Sequence, residues 1–215
     1  MNKIDLQTWS RSEYYEFFNT FNHPHFNMCA NIDVTRFRSY IKDSGYSFTI
    51  GIVYLISRTS NDIPEFRYRI RENEIVVHDL VSPSITILVG NDLFSFCSID
   101  YSQDFREFAA RAARQIAEVK NNPTLKDPPG RDDLLYMTSI PWVSFTSFTH
   151  PMRQHPADSI PRFAWGKIFA VGGREQMPLS VQGHHAVMDG IHIGKYYELI
   201  QDYLERPEAI FGSES

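Results

Sequence analysis

Leu179-Ser180-Val181-Gln182-Gly183-His184-His185-Ala186-Val187-Met188-Asp189-Gly190 is the stretch on which the architecture of this chain turns. Leu179 to Gln182 alternate apolar and polar, which predicts a strand buried on one face. The Asp-Gly pair ends the extended pattern, and from about residue 193 to 204 a three-and-four spacing predicts a helix. A strand running into a helix sets the side chains of the junction at the mouth of a sheet, where chemistry is often done. Adjacent histidines on a strand point to opposite faces, and no third ligand stands at a metal-like spacing, so no metal site is expected here.

Working outward, Tyr14, Phe17, Phe18 and Phe21 mark one face of a helix within residues 9–21, with Ser12 as its expected N-cap. Asn22-His23-Pro24-His25 breaks it, because proline disfavours helical geometry at the preceding residue. A second helix is expected over 34–42, begun by Asp33 or Thr35 and ended near Gly45. Residues 47–58 are apolar almost all round and predict a buried helix. Between 65 and 100 the runs Phe66-Arg67-Tyr68-Arg69-Ile70, Ile75-Val76-Val77-His78, Ile85-Thr86-Ile87-Leu88-Val89 and Phe94-Ser95-Phe96 predict antiparallel sheet, with a turn at Arg71-Glu72-Asn73-Glu74. Phe105, Phe108, Ala109, Ala112, Ile116 and Val119 mark a long amphipathic helix over 103–121, and further strands are expected at 135–140, 142–148 and 163–170. No linker or repeat divides the chain, so residues 1–215 read as one α/β (α+β) domain with a mixed, largely antiparallel sheet.

Composition narrows the function. The 215 residues are 42% hydrophobic and 22% charged, enough to build a core and to exclude disorder as the main state. A net charge of -5 argues against nucleic acid as a partner. Cys29 and Cys97 form no cluster suited to a disulfide framework or a zinc site. No apolar run approaches the ~20 residues that span a bilayer, and the polar start is unlike a secretory signal, so no membrane partner and a cytoplasmic location are expected. The 16 Phe, 11 Tyr and 3 Trp could build either a core or an apolar pocket.

The run from His184 to Gly190 matches HHxxxDG, shared by coenzyme A-dependent acyltransferases. Trp9-Ser10-Arg11-Ser12-Glu13 is similar to the N-terminal WxRxE of one branch, and Pro141-Trp142-Val143-Ser144-Phe145-Thr146-Ser147-Phe148 resembles its PWVxFxSF segment. Met177-Pro178-Leu179-Ser180-Val181-Gln182 resembles the approach to the histidines. By order and spacing over the whole chain, the sequence resembles the type A chloramphenicol acetyltransferases.

The resemblance implies a two-layer sandwich and acetyl transfer from acetyl-CoA, as co-substrate, to a hydroxyl of chloramphenicol in a ternary complex, with no metal. His185 is then the general base, since histidine titrates nearest neutrality. Ser147 is the oxyanion donor, His184 orients the loop, and Asp189 pairs with Arg11 to organise the site. A homotrimer with active sites between subunits is implied. Phe17, Phe18, Asn22, Pro24, Phe26, Phe94 and Leu134 fall at the apolar acceptor pocket, and Lys167 is a candidate for the coenzyme A phosphates. Three departures bear on the acceptor: Ala164 stands where relatives carry threonine, Met188 replaces a cysteine, and Asn22-His23-Pro24-His25 is more polar than the family's segment. Two alternatives are an acetyl-CoA-dependent O-acetyltransferase with another hydroxyl acceptor, and a scaffold like the acyltransferase core of a multienzyme complex. The chain has no Ala/Pro-rich linker to favour the scaffold.

Overall fold

A computed structural model of the chain describes residues 1–126, 128–153 and 157–212. Its elements in chain order are β1 (Asn2–Lys3), α1 (Ser12–Phe18), β2 (His25–Asp33), α2 (Thr35–Asp43), α3 (Phe48–Asp62), β3 (Tyr68–Arg71), β4 (Glu74–Val77), β5 (Ser82–Gly90), β6 (Leu93–Ser98), α4 (Phe105–Asn121), β7 (Leu134–Ile140), β8 (Arg162–Gly166), β9 (Phe169–Val171), β10 (Arg174–His184), α5 (Gly190–Glu205) and α6 (Pro207–Phe211). The large sheet runs β2-β10-β8-β7-β5-β6, with β9 also pairing β10. It is mixed: β7 lies parallel to β5 and β8, and the other pairs are antiparallel. A second sheet, β1-β4-β3, stands apart.

Register divides the large sheet into two unlike faces, because residues directly opposite one another share a face. On one, Leu179 and Val181 stand beside Trp165 and Phe163, in line with Leu135, Met137, Ile85 and Cys97. These residues meet Ile52 to Ile56 of α3, Phe105 and Phe108 of α4, and Ile193, Tyr196 and Ile200 of α5 in the main core. Full burial of each large apolar side chain contributes ~1.5–3 kcal/mol, which is what holds the helical layer on the sheet. The other face carries Ser180, Gln182, Ala164, Arg162, Thr138, Tyr136, Leu134, Thr86, Phe96 and Phe94. Its polar character is the first sign that it serves something other than the core.

The expected helices form, with small differences. Arg11 rather than Ser12 occupies the N-cap position of α1, and the Ser12 hydroxyl donates back to the Trp9 carbonyl at 2.8 Å. The Asp33 carboxylate accepts from the Thr35 amide and hydroxyl at the start of α2, and Gly45, at φ +71°, takes the left-handed turn after it. Residues 142–148 are loop, not strand: β7 already pairs on both sides and β8 lies between β7 and β10, so no open ladder remains there. The 163–170 run is two strands broken at Lys167-Ile168, and the first half of Phe66–Ile70 is a short 3-10 turn, Pro64–Arg67. The 65–100 region is divided between the two sheets rather than forming one, and β5 pairs parallel with β7 on its second side. β2 was not expected, although Phe26, Met28, Ala30 and Ile32 alternate with polar residues along it.

No helix among the described residues is long and apolar enough to cross a membrane.

Candidate active site

β10 ends at His184, and residues 185–188 turn into the first turn of α5. Gly183 permits this junction to close: a Cβ there would overlap the Met188 sulfur, which is fully buried beneath the turn. Met188, in the cysteine's place, therefore acts as packing fitted to a glycine. The turn is fixed by the His184 carbonyl, which accepts from the Val187 and Met188 amides, and by the Pro24 carbonyl, which accepts from the His185 amide at 2.8 Å. Ala186 and Val187 pack into a second small core with Tyr15, Ile75 and Trp9.

The two histidines are held in different states. His184 is 2% exposed, its Nδ1 accepts from the Ala186 amide, and its ring meets His25 edge to face. Burial, then the neighbouring His25, pushes its pKa down to about 3. His185 is one-third exposed, its ring stacked on Phe18 at 3.9 Å between centroids and flanked by Phe26 at 4.7 Å. Its Nδ1 lies 3.0 Å from Asp189 Oδ1 but off the line of a hydrogen bond, and is enclosed. Nε2 is the ring nitrogen left for a substrate.

Asp189 is the N-cap of α5, and its amide donates to His192 Nδ1 at 2.8 Å. Its other oxygen bonds Arg11 Nη1, and Arg11 Nη2 reaches the His185 carbonyl at 3.5 Å. Burial alone would raise this carboxyl, but the Arg11 hydrogen bond and charge outweigh it and hold the pKa below the ordinary value. Arg11 thus ties the starts of α1 and α5 together around His185.

Behind His184, His25 Nε2 donates to the Asp158 carbonyl at 2.8 Å, and the Asp158 carboxylate takes both Nη atoms of buried Arg162 at 2.9 and 2.6 Å. Asp158 and Arg162 do not stand out in the sequence, and His25, named there only within Asn22-His23-Pro24-His25, is seen opposite His184 only in the register of β2 with β10.

Within one chain, His185 gathers Phe18, Phe26 and Pro24 directly, and Phe17 through an edge contact with Phe18. Asn22 is exposed on the same connection. The other candidates are elsewhere. Phe94, half-exposed, lies on β6, four strands from β10 and so about 19 Å across the sheet. Leu134 is fully buried on β7, and Lys167 is exposed just after β8. Ser147 sits exposed in the loop after β7. The Phe148 carbonyl bonds Ser180, and the His150 amide bonds Gln182, so the loop heads toward His184 as it leaves Ser147. Ser180 is itself about 13 Å from His184 along the strand.

A family model described as chloramphenicol acetyltransferase matches residues 1–201. The chain belongs to the chloramphenicol acetyltransferase family. It is 32% identical over 203 residues to the chloramphenicol acetyltransferase of Proteus mirabilis, covering 94% of each chain. It is 33% identical over 202 residues to chloramphenicol acetyltransferase 2 of Escherichia coli, covering 93% of this chain and 94% of that one. A solved chloramphenicol acetyltransferase superposes with a TM-score of 0.84 at 28% identity, over 94% of this chain and all of that one. A dihydrolipoamide acetyltransferase of Azotobacter vinelandii, at TM-score 0.66 and 16% identity over 87% of this chain and 84% of that one, shares the fold. The mixed sheet under one helical layer is thus the architecture of an acetyltransferase of this family.

The buried histidines make the chain acid-labile in a defined window. His184 at about 3 and His150, pushed by burial and Arg162 to about 4, stay neutral in the fold, whereas the unfolded chain takes up their protons near pH 6.5. Unfolded chains then bind more protons than folded ones, so stability falls as pH drops from about 6.5. Each histidine removes about 2 kcal/mol by pH 5. The Asp189 carboxylate, whose pKa is lowered, keeps its contribution down to about pH 4 and loses it only as pH falls through its folded value. The urea midpoint is therefore expected to drop steeply between pH 6.5 and 5, ahead of any carboxylate titration.

Proposed function

We propose that the chain transfers the acetyl group of acetyl-CoA to a hydroxyl of chloramphenicol, with His185 as general base and Ser147 as oxyanion donor. The observation that carries this reading is the family match along residues 1–201, which takes in every element holding His185. Acetyl-CoA is the co-substrate. Nε2 of His185 removes the hydroxyl proton as the oxygen attacks the thioester carbonyl, and a C–O bond forms. The tetrahedral oxyanion accepts from the Ser147 hydroxyl, which favours the transition state over the ground state. Collapse breaks the C–S bond, and the proton on His185 passes to the departing thiolate. Asp189 and Arg11 hold the imidazole rather than exchanging protons with it. Phe17, Phe18, Asn22, Pro24, Phe26, Phe94 and Leu134 form the acceptor pocket, and Lys167 meets the coenzyme A phosphates. The reading places the enzyme in the cytoplasm, as a single domain over residues 1–215.

The active site forms between subunits of a homotrimer, His185 of one protomer facing Ser147 and Phe94 of the next. The separation of these groups within one chain supports this assembly. Mixing His185→Ala and Ser147→Ala protomers after dissociation tests it: hybrid trimers pair an intact His185 with an intact Ser147, so activity is expected to rise well above that of either variant. No recovery after verified subunit exchange would argue for sites built within one chain.

Release of coenzyme A thiol from acetyl-CoA, measured with chloramphenicol and with a panel of simple alcohols, tests the acceptor. Turnover is expected with chloramphenicol far above the panel. Turnover confined to other alcohols would move the chain to a different acceptor, and silence with all of them would remove the enzymatic reading.

A further inference from the structure

The polar face of β10 carries a connection that the reaction scheme above does not use. The Ser180 side chain is completely buried, yet it faces away from the helical core. Its hydroxyl donates to the Phe148 carbonyl at 3.2 Å and accepts from Asn27 Nδ2 at 2.7 Å, from the neighbouring strand β2. Two residues along, Gln182 is 3% exposed; its Oε1 accepts from the His150 amide at 3.4 Å and its Nε2 donates to Met152 Sδ at 2.9 Å. Two buried polar side chains on one strand therefore bond the loop that carries Ser147. Burying such groups costs free energy unless each is paired, and here the pairing falls on loop backbone that belongs to no sheet ladder. The carbonyl taken by Ser180 belongs to the residue immediately after Ser147. Phe145 and Phe148 pack against each other at 5.4 Å across Ser147, which itself stands exposed.

We propose that Ser180, seated by Asn27, is the positioning residue for Ser147: it fixes the backbone beside the oxyanion donor to strand β10. An oxyanion donor acts only where it is held at the position the developing charge will occupy, and a displacement of about 1 Å can cost up to ~100-fold in rate. The proposal rests on the reading of Ser147 as that donor. Ser180 touches no substrate; its effect runs through Ser147, and so does that of Asn27.

The test is a double-mutant cycle on acetyl transfer to chloramphenicol, with kcat, both KM values and thermal midpoint recorded for each protein. Ser147→Ala is expected to lower kcat about 100-fold. Ser180→Ala is expected to lower kcat about tenfold with both KM values within twofold, and to cost nothing further in the Ser147→Ala background. An equal loss in both backgrounds overturns the proposal, since Ser180 would then act independently of Ser147. Unchanged kcat in Ser180→Ala with a large loss in Ser147→Ala overturns it while leaving the donor reading intact. Unchanged kcat in Ser147→Ala defeats the donor reading itself, and the proposal with it. Should Ser180→Ala lower the midpoint enough to obscure the kinetics, Asn27→Ala, on the edge strand, replaces it with the same expected pattern and the same overturning results.

Discussion

His185→Ala is expected to lower acetyl transfer by about 10⁴-fold, the upper end of what a positioned general base supplies. The size follows from the geometry. His185 is the histidine of the pair that retains access to solvent, while His184 is buried, held neutral and bonded to the Ala186 amide. The neighbouring imidazoles are occupied: His192 is engaged at the N-terminus of α5, and His25 is committed to the Asp158 carbonyl. Loss of the ring removes its stacking on Phe18 and leaves the backbone bond from residue 185 to Pro24 in place, so the thermal midpoint should move by only a few degrees. The comparison is kcat for thiol release together with the thermal midpoint of both proteins. A variant that folds normally and retains more than a tenth of the wild-type kcat would remove His185 from the role of base.

The largest effect on stability is expected at Arg69. Arg69 is 1% exposed and has no carboxylate partner among the described residues; its guanidinium donates to the carbonyls of Asp132, Phe66, Tyr68 and Leu134 at 2.6–2.9 Å. Burial lowers its pKa to about 10, so it remains charged at neutral pH. Two of the four bonds, to Asp132 and Leu134, join β3 of the small sheet to the start of β7 in the large one, and the other two hold the turn into β3. Arg69→Ala leaves those carbonyls unpaired around a cavity, and unsatisfied buried groups cost ~1–3 kcal/mol each. Some of that cost is relieved by water entering the space, so a total of about 4 kcal/mol is expected, a drop in midpoint of about 8–16 °C for a chain of this size. Arg69→Lys should not restore it, because an ammonium cannot reproduce the planar fork that spans four acceptors. A fall of less than 3 °C in the alanine variant would show that the two sheets do not depend on this residue.

The parts of the molecule legible in the sequence are those with strong local periodicity. Residues 47–58 are apolar on every side because α3 lies between the sheet and neighbouring helices, and Leu179 and Val181 alternate with polar residues because β10 has one face on the core. β2 was missed because its exposed edge tolerates Asn27 and Asn31, which weaken the strand signal. Residues 142–148 imitate a strand through their serines, threonines and aromatics, yet the ladder they would join is already occupied. The motif residues His185, Asp189 and Arg11 come together because they stand at the starts of two helices and in the turn between β10 and α5. The proposed pocket divides for a different reason. Phe94 and Phe18 are both aromatics with another aromatic within two residues in the sequence, but the fold puts one at the far edge of the sheet and the other, partly buried, on His185. Strand order depends on long-range pairing, which no local window contains. Ser180 and Gln182 were equally visible as polar strand positions; their burial under the Ser147 loop could be known only from tertiary structure.

The most direct test of the central claim is the mass of the product formed when the purified protein is given acetyl-CoA and chloramphenicol. The expected result is chloramphenicol carrying one added acetyl group on a hydroxyl, formed in step with free coenzyme A thiol and absent with His185→Ala. Unmodified chloramphenicol with no thiol released, from protein shown to be folded, would contradict it.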